Sequence, residues 1–511
     1  MTNKQRTWGQ FATPVDVADI LLGFCLRRPD DRLLDPSCGD GALLRRASLW
    51  RSWLESGEDH STNSLYGFEL DPLPAAEAAN IRGARITQAD FFSQEASAYP
   101  AFDAVIGNPP YTRAEWFGRL ETPTAQPSLL PAEPDDAPLR RRLLSHELEE
   151  GLGGRAALYA YFLVRSADFL REGGRLGFVV ANGWLDVAFG AALKRFLLDH
   201  FRIVAIIESV VERWFSSAAV NTCIVILEKA GDPELRATNR VRFVRLRQPL
   251  AEILGADADS RRVSAAEQFV TRIMPPADRL TAPAAVRVRD QAGLDPGARW
   301  GALLRAPTVF LSRPTERLAP LRAWATIRRG STTGANDFFY LDRRTVEHWG
   351  IEARFRVPLL KSLRGVRFRQ IAAADCEHEL LCIPPEAQIG RTAIGGYLAW
   401  GESRGIANRQ TCLRRKPWYA LPQQPEGDLL LAKGIWQRHF VGRVDPPDSV
   451  GFAVDQQIYR LAPAPDVPIA AVAALLNSAW FALSCEMGGR VNLGEGVLWL
   501  ATYELGDILL P

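Results

Sequence analysis

Short runs of apolar residues alternate with amphipathic segments along the first 230 or so residues of the chain. The runs are almost continuously apolar, as is typical of strands in a parallel sheet that is covered on both faces. The segments between them carry apolar residues at helical spacing, and this alternation predicts an α/β domain with a mainly parallel sheet. The predicted strands are 32–35, 65–69, 86–91, 102–107, 176–180, 203–207 and 223–227.

The pattern changes after residue 240, where the alternation fades and basic residues gather with aromatic residues among polar loops. We therefore predict the α/β domain over residues 1–240, a connector over 241–310 and a mixed α+β domain over 311–511. Residues 112–155 are rich in proline and charge without a sustained period. They predict a mobile loop, which could close over a substrate.

Four basic clusters in the second domain predict a nucleic-acid surface. Arginine combined with Asn, Gln and aromatic side chains suits contacts with phosphates and base edges. Each cluster alone is typical of a solvated face. Four of them in a chain whose net charge is only +2 indicate that basic residues are concentrated locally. The clusters are Arg322, Trp324, Arg328 and Arg329; Arg364, Arg367, Phe368 and Arg369; Arg404, Asn408, Arg409, Arg414, Arg415, Lys416, Trp418 and Tyr419; and Lys433, Trp436, Arg438 and His439.

Composition sets the broad class of the protein. A length of 511 residues with 47% hydrophobic and 23% charged residues predicts a globular chain of two domains. The polar start lacks a signal peptide's apolar core, and residues 469–483 are too short to span a membrane. Seven scattered cysteines predict no disulfide framework and fit a bacterial cytoplasm. Cys376, His378 and Cys382 lack the paired spacing of a zinc site, so we predict no metal.

The NPPY tetrapeptide, Asn108-Pro109-Pro110-Tyr111, follows the predicted strand 102–107 and so lies where ligands bind in open α/β sheets. Its two prolines fix φ and remove two backbone donors, which leaves carbonyl acceptors on a rigid turn. Asn108 adds a side-chain oxygen, and Tyr111 offers a flat face for stacking. Paired acceptors beside a flat face suit a planar amino group on a ring, although a proline-rich turn would also explain the segment.

The glycine turn, Asp35-Pro36-Ser37-Cys38-Gly39-Asp40-Gly41, follows the first predicted strand and allows a ligand to approach the backbone closely. It lacks the full G-x-G-x-x-G pattern and a Walker lysine, so a nucleoside that carries an amino acid fits better than a phosphate. Glu69 ends the second predicted strand and suits ribose hydroxyls. Asp90 and Phe91 suit an adenine ring. Either acid could instead be only a helix cap.

A polar segment, Gly9-Gln10-Phe11-Ala12-Thr13-Pro14, precedes the first helix. Thr13 is predicted as the N-cap and Pro14 as the first helical residue. The apolar face that follows consists of Ala18, Leu21, Leu22 and Cys25. By itself this segment indicates no more than a capped helix.

In this order the motifs resemble those of the amino-methylating DNA methyltransferases of the gamma arrangement, the TaqI-like adenine-N6 enzymes. The resemblance rests on the combination and order of the segments, and it implies a Rossmann-like domain that binds S-adenosylmethionine, followed by a DNA target-recognition domain. It covers the first 230 or so residues; beyond them, only 333–338 and 489–496 resemble parts of target-recognition domains. The matching segments are 9–14, 35–41, 67–71, 89–91 and 108–111.

The resemblance also implies roles for individual residues. The methionine part of the cofactor would be held by Thr13 and by the glycine turn, namely Asp35, Pro36, Ser37, Cys38, Gly39 and Gly41. Glu69 would hold the ribose, and Asp90 with Phe91 the adenine. Asn108 and the carbonyl of Pro109, on the turn completed by Pro110, would bind the target amino group. Tyr111 would stack on a base flipped out of the duplex, opposite Phe215, with Trp214 as the alternative second aromatic residue.

The partner implied by the resemblance is double-stranded DNA, bound by a monomer within a restriction-modification or related defence system. No P-D…E-x-K nuclease pattern is evident in the sequence, which leaves a separate nuclease chain as a possible partner. Two other functions stay open. Because the same tetrapeptide occurs in enzymes that act on RNA bases and on release-factor glutamines, an RNA adenine methyltransferase is the runner-up. A non-catalytic DNA-binding subunit that retains the fold is the third, against which the intact Asn108, Tyr111, Glu69 and Asp90 argue.

Overall fold

A sheet of ten strands organises the first of two units, Met1–Pro307 and Thr308–Pro511. The computed structural model describes residues 11–54, 64–112, 151–152, 156–187, 189–215, 221–313, 315–366, 370–423, 427–435, 438–444, 451–489 and 497–511. The strand order is β3-β2-β1-β4-β5-β7-β6-β8-β10-β9. The strands are β1 (Leu33–Asp35), β2 (Leu65–Glu69), β3 (Ala84–Gln88), β4 (Phe102–Gly107), β5 (Leu170–Ala181), β6 (Phe201–Ser209), β7 (Thr222–Lys229), β8 (Arg240–Leu246), β9 (Arg279–Leu280) and β10 (Ala284–Asp290).

Helices lie between most of these strands in the first unit. They are α1 (Val15–Cys25), α2 (Ala42–Leu54), α3 (Pro72–Ala78), α4 (Leu158–Phe169), α5 (Gly190–His200), α6 (Pro233–Ala237), α7 (Leu250–Leu254), α8 (Arg261–Ile273) and α9 (Gly301–Arg305). Strands β1 to β5 pair in parallel, whereas β7 runs antiparallel to both β5 and β6. The predicted α/β fold with a mainly parallel sheet is confirmed, and β2 and β4 have the predicted bounds.

Two hydrophobic cores cover the two faces of this sheet. Side chains alternate along a strand, so Leu33 packs into one core and Leu34 into the other. In β4, Ile106 joins the first core and Val105 the second. All four are fully buried, which explains why these strands appear in the sequence as continuous apolar runs.

The order of the strands reverses beside β1. The chain leaves β1 for β2 and β3 on one side, and then crosses to β4 and β5 on the other side. In open α/β sheets, a ligand-binding crevice forms at such a reversal, outside the carboxyl ends of the two strands. Asp35 ends β1, and Asn108 follows directly after β4.

The structure differs from the sequence prediction over 241–310. Strand β8 pairs with β6, and β10 pairs with β8, so most of the predicted connector extends the sheet of the first unit. The pattern is harder to recognise here because β10 alternates: Val286 and Val288 are buried, whereas Arg287 and Arg289 are partly exposed. A strand with one polar face lacks the continuous apolar run of a central strand.

A buried ionic network fastens this late segment to the beginning of the domain. Asp19 of α1 is fully buried and accepts hydrogen bonds from Arg46 and from Trp50 Nε1 of α2, at 2.5 Å and 2.7 Å. Arg262 of α8 donates to the second oxygen of Asp19 at 3.0 Å and also pairs with Asp16. Helix α8 is therefore held against α1 by charge as well as by apolar packing.

Removing Arg262 should destabilise the first unit. An Arg262→Ala variant leaves Asp19 buried with one partner fewer, and loss of one member of a buried pair lowers the free energy of unfolding by about 3 kcal/mol. Denaturant unfolding of the full chain measures the change. The matched control is Arg261→Ala, because the exposed Arg261 pairs with Asp257 and Asp259, whose side chains are 74% and 46% exposed. Equal effects of the two substitutions would contradict a stabilising network.

The second unit contains several small sheets with short helices. A five-stranded sheet has the order β12-β21-β17-β19-β15, and a four-stranded sheet has the order β13-β16-β14-β20. The strands are β11 (Ala319–Pro320), β12 (Ala325–Arg329), β13 (Tyr340–Leu341), β14 (Arg356–Leu360), β15 (Gln370–Ile371), β16 (His378–Leu381), β17 (Leu429–Ala432), β18 (Gly434–Ile435), β19 (Val441–Val444), β20 (Ala453–Val454), β21 (Ile458–Pro463), β22 (Leu498–Trp499) and β23 (Leu509–Leu510).

The helices of the second unit are α10 (Thr308–Leu311), α11 (Leu321–Trp324), α12 (Asn336–Phe339), α13 (Arg343–Trp349), α14 (Ala393–Ser403), α15 (Gln410–Leu413), α16 (Ile469–Leu476), α17 (Ala479–Gly488) and α18 (Thr502–Gly506). The predicted mixed α+β architecture is confirmed. Within the described ranges, no single helix is long and apolar enough to cross a membrane. The bent pair α16 and α17 passes a test of length and composition only when taken together.

Candidate active site

The glycine turn adopts a backbone that only glycine takes readily. Gly39 has φ +55° and Gly41 has φ +85°. A Cβ on Gly41 would stand 2.3 Å from the Ile81 side chain, so this glycine is also required for packing. A Cβ on Gly39, in contrast, would meet nothing within 4 Å. The backbone of the turn therefore faces open space at Gly39 and is tightly supported at Gly41.

Glu69, at the end of β2, is hydrogen-bonded to the glycine turn. One carboxylate oxygen accepts a hydrogen bond from the Gly39 amide at 2.9 Å, and the other accepts from the Asp71 amide at 2.9 Å. The side chain is buried. The glycine turn and the end of β2 are therefore joined through one carboxylate.

Asp35 is a buried acid at the carboxyl end of β1. Its Oδ1 accepts a hydrogen bond from the Ser37 amide at 3.1 Å. Burial raises the pKa of Asp35 to about 7, the Ser37 hydrogen bond opposes this rise, and the negative charge of Glu69 adds to it. Asp35 therefore changes charge near neutral pH in the ligand-free protein.

These residues fit the amino-acid part of S-adenosylmethionine. Ser37 Oγ is buried without a hydrogen-bond partner among the described residues, as expected of a group that meets a ligand or water. Asp35 supplies an anionic oxygen beside it, and the backbone at Gly39 is open. A carboxylate that accepts from an ammonium group and a hydroxyl that donates to a carboxylate group together match the two charged ends of an amino acid.

The first helix begins one residue later than predicted. Pro14 is the N-cap of α1 with ψ 145°, which is extended, and Val15 is the first helical residue. No side chain, Thr13 included, caps this helix. Thr13 lies half-buried two residues after Phe11, and its predicted contact with the cofactor stays a prediction.

Asp90 and Phe91 both have partners within the first unit. Asp90 caps a short 3₁₀ turn by accepting from the Phe92 amide at 3.0 Å, which corresponds to the cap alternative left open by the sequence. Phe91 is 2% exposed, and its ring stacks on Phe162 at 5.6 Å inside the second core. Its predicted contact with an adenine ring stays a prediction.

Both ends of the Asn108 amide are engaged within the protein. Nδ2 donates to the carbonyl of Phe11 at 2.8 Å, and Oδ1 accepts from the Tyr111 hydroxyl at 2.7 Å. Burial raises the pKa of Tyr111 well above its usual value, so the phenol stays neutral and keeps this proton. Pro109 is buried and Pro110 half-buried, which holds the tetrapeptide against the end of β4.

Three rings, the aromatic triad, meet at this point. Phe11 lies 5.8 Å from Tyr111 and 6.1 Å from Phe215, and Tyr111 lies 6.0 Å from Phe215. Phe215 is 5% exposed. The structure thus brings the predicted second aromatic residue to Tyr111, whereas the half-buried Trp214 donates to Glu212 at 3.2 Å.

An ion cluster, not predicted from the sequence, supports the loops beside the triad. Arg305 makes two hydrogen bonds to Glu208, at 2.9 Å and 2.6 Å, and one to Asp186 at 2.9 Å. Asn182, which follows β5, also donates to Glu208 at 2.8 Å. The cluster ties the residues that follow β5 to the end of β6, and the chain continues from β6 into the segment that carries Phe215. Arg305 lies far from every motif in the sequence, so no local pattern indicates it.

Several residues of the predicted basic clusters are held by contacts within the second unit. Arg409 forms an ion pair with Asp337, and Arg415 donates to the carbonyl of Thr332 at 2.9 Å. Arg322 pairs with Asp507. Exposed basic residues come from all four clusters, among them Arg328, Arg364, Arg404, Arg414, Lys416 and Arg438.

Some predicted features lie outside the described residues. They are most of the loop 112–155, residues 216–220 after Phe215, the cluster members Arg367, Phe368, Arg369 and Trp436, and most of 489–496. In the part of the chain that the structure covers, no three His, Cys, Asp or Glu side chains are grouped as metal ligands.

Neutralising Asp35 should stabilise the cofactor-free protein in a pH-dependent way. Its folded-state pKa of about 7 lies above the ordinary value of 3.8, so the native state keeps a proton that the unfolded chain has lost. The contribution of Asp35 to stability therefore falls as pH rises from 3.8 towards 7. Relative to wild type, Asp35→Asn should gain up to about 1.4 kcal/mol per pH unit across this window.

Thermal unfolding between pH 4 and pH 8, with the exposed Asp40→Asn in the same turn as control, measures this effect. A pH-independent difference between Asp35→Asn and wild type would contradict a protonated Asp35.

Two profiles of one methylase match this chain. Residues 48–215 match the Eco57I restriction-modification methylase, and residues 310–511 match the C-terminal domain of the Type II methyltransferase M.Eco57I. The first match includes the NPPY tetrapeptide and ends at Phe215. The second coincides closely with the second unit, Thr308–Pro511.

Individual relatives carry the same description. The Type II methyltransferase M.BanIII of Aneurinibacillus aneurinilyticus is 28% identical over 43% of this chain and 38% of its own length. M.XamI of Xanthomonas campestris pv. amaranthicola is 21% identical over 94% of this chain and 80% of its own length. The chain spans less than half the length of M.BanIII and of M.PaeR7I, with 38% and 42% covered.

The fold has a counterpart of known structure. The Type IIL restriction-modification enzyme MmeI, solved in complex with DNA, superposes with a TM-score of 0.55 at 13% identity, over 97% of this chain and 64% of that chain. At this identity the likeness concerns the fold alone. Residues 48–215 and 310–511 are thus similar to the two parts of one Type II restriction-modification methylase, and the order of the motifs agrees with this likeness.

Proposed function

We propose that this chain is a site-specific DNA methyltransferase that transfers a methyl group from S-adenosylmethionine to the N6 amino group of adenine. The observation that carries the proposal is the meeting of two sites at the reversal of strand order. The glycine turn and Glu69 lie at the ends of β1 and β2, and Asn108, Tyr111 and Phe215 gather at the end of β4. A cofactor and a ring-borne amino group would meet there.

The NPPY tetrapeptide would activate the amino group through its acceptors. The nitrogen lone pair of adenine is delocalised into the ring, which makes it a poor nucleophile. Asn108 Oδ1 and the Pro109 carbonyl would each accept one N–H bond and so localise the lone pair on nitrogen. Most of the catalysis would come from position and electrostatics, because the turn is rigid.

The base must leave the duplex to reach these acceptors. Tyr111 and Phe215 would bind the extruded base between their faces, which offsets part of the lost stacking within the DNA. Replacement of the Tyr111 hydroxyl by the target amino group would keep Asn108 Oδ1 hydrogen-bonded throughout.

The cofactor would be held by residues of the first unit only. When bound, S-adenosylmethionine supplies an electrophilic methyl group. Asp35 and Ser37 would bind its amino-acid part, with the open backbone at Gly39. Glu69, already oriented by two amides, would accept from the ribose hydroxyls.

The second unit would supply recognition of the DNA sequence. Exposed basic residues such as Arg328, Arg364 and Arg414 would contact phosphates, which makes binding sensitive to salt. We propose a monomer that acts on double-stranded DNA in the bacterial cytoplasm as part of a restriction-modification or related defence system. A partner nuclease would be a separate chain.

Asn108→Ala should lower the methylation rate by at least about 100-fold, whereas the affinity for S-adenosylmethionine should stay nearly unchanged. The measurement is methylation-sensitive long-read sequencing of DNA from cells that express wild type or variant, with titration calorimetry of S-adenosylmethionine. Asn80→Ala is the control, because Asn80 is exposed, lies just after α3 and donates to the carbonyl of Ala76. A methyladenine mark at one short motif, present with wild type and Asn80→Ala only, is the expected result.

Other results would redirect the proposal. Methylation of cellular RNA instead of DNA would favour an RNA adenine enzyme. Absence of both cofactor binding and any mark would favour an inert DNA-binding subunit. Loss of cofactor binding together with methylation in Asn108→Ala would assign Asn108 a structural role.

Phe215→Ala should weaken capture of the extrahelical base and slow turnover by roughly 10-fold, the scale of one lost base–aromatic contact. Single-turnover methylation of a duplex with the identified motif measures the rate. Trp214→Ala is the matched control, since Trp214 is the neighbouring ring and bonds to Glu212. Unchanged kinetics in Phe215→Ala alongside a slow Trp214→Ala would exchange the two roles.

A further inference from the structure

Phe11 is a ring of the active site that no motif role accounts for. It contacts both proposed walls of the base site, Tyr111 at 5.8 Å and Phe215 at 6.1 Å. It is half-buried, whereas Phe215 is buried. Tyr111 is also half-buried, so Phe11 and Tyr111 are the two rings of the aromatic triad that reach solvent.

The arrangement of the other two rings leaves no slot for a base. A flat base held between two walls needs their planes to be nearly parallel. The planes of Tyr111 and Phe215 are instead at 86°, with centroids 6.0 Å apart. Phe11 packs against both, at interplanar angles of 33° and 53°.

The hydrogen-bonding groups of Asn108 are also occupied within the protein. Asn108 Nδ2 donates to the Phe11 carbonyl, and Asn108 Oδ1 accepts from the Tyr111 hydroxyl. This O–H occupies the position that an amino N–H of the substrate would take. A buried amide with no partner would be unfavourable, so the internal contacts stabilise the site while no base is present.

We propose that Phe11 is a positioning residue that packs on Tyr111 and Phe215 in the free enzyme and competes with the target base for contact with these two rings. The inference rests on the proposed function, because it needs a base that leaves the duplex. Entry of the base displaces the Phe11 ring, lets Tyr111 and Phe215 turn their faces to the base, and frees Asn108 Oδ1 for the amino group. The Phe11 carbonyl, being backbone, can keep the Asn108 amide oriented while the ring moves.

Competition between the Phe11 ring and the target base gives specificity for the base. It also keeps the hydrogen bonds of Asn108 satisfied in the free enzyme. Only a base that stacks on Tyr111 and donates to Asn108 replaces both sets of internal contacts at once. A base that lacks the exocyclic amino group leaves Asn108 Oδ1 without a donor, so the closed arrangement is favoured over the bound one.

The test uses the full-length protein with a duplex that keeps the target adenine and carries 2-aminopurine as its 3′ neighbour, because this base fluoresces more strongly once the stacked adenine has left the helix. Phe11→Ala should raise the equilibrium constant for base capture roughly 10-fold, which corresponds to about 1.4 kcal/mol. The KM for DNA should fall by a similar factor. S-adenosylmethionine affinity from titration calorimetry should stay within about a factor of two.

A second variant keeps the test valid if Phe11→Ala does not fold. Phe11→Leu keeps an apolar side chain but removes the ring, and its base capture should lie between wild type and Phe11→Ala. Reduced base capture in either folded variant would overturn the proposal, since Phe11 would then support the bound base. Loss of cofactor affinity together with base capture would also overturn it, because Phe11 would be structural.

Failure of the proposed function gives a different result. If wild type itself produces no fluorescence increase, base flipping into this site is wrong, and the role of Phe11 is overturned with it. If wild type produces the increase and Phe11→Ala leaves it unchanged, only the competition is wrong.

Discussion

The reversal of strand order beside β1 is the constraint on which the rest of this structure depends. Because β1 and β4 are neighbours whose connections leave in opposite directions, their carboxyl ends border one crevice. Asp35 and Asn108 occupy those two ends. The proposed cofactor site and the proposed amino-group site thereby lie side by side although 73 positions separate the two residues in the sequence.

Burial shapes the chemistry on both sides of that crevice. Asp35 is fully enclosed, so its charge is unfavourable until a cation approaches, and the site is tuned for a ligand that carries one. Tyr111 is also enclosed, but it remains a neutral donor and satisfies Asn108. In the ligand-free protein, the charge of Asp35 is therefore not balanced by a cation among the described residues. Both ends of the Asn108 amide, in contrast, are hydrogen-bonded.

The pattern of residues along the chain predicted the features that depend on neighbouring residues. Strands β2 and β4 have the bounds expected from their apolar runs, and Phe215 lies beside Tyr111 as the resemblance implied. The start of α1 shifted by one residue, because Pro14 is extended and delays the helix. Contacts between distant segments left no trace in the pattern. Neither the Phe11 ring in the triad nor the Arg305 bonds to Glu208 could be deduced, because both depend on how the sheet is assembled.

Helix α8 has a consequence for how such proteins could exchange their DNA specificity. Its Arg262 is bonded to Asp19 in the first helix of the catalytic unit, and β8 and β10 complete the catalytic sheet. A chimera joined at residue 240 would separate this helix from its partners and leave β6 as an open edge. The natural junction for grafting the second unit of a relative is the boundary at Pro307 and Thr308, where the two units divide.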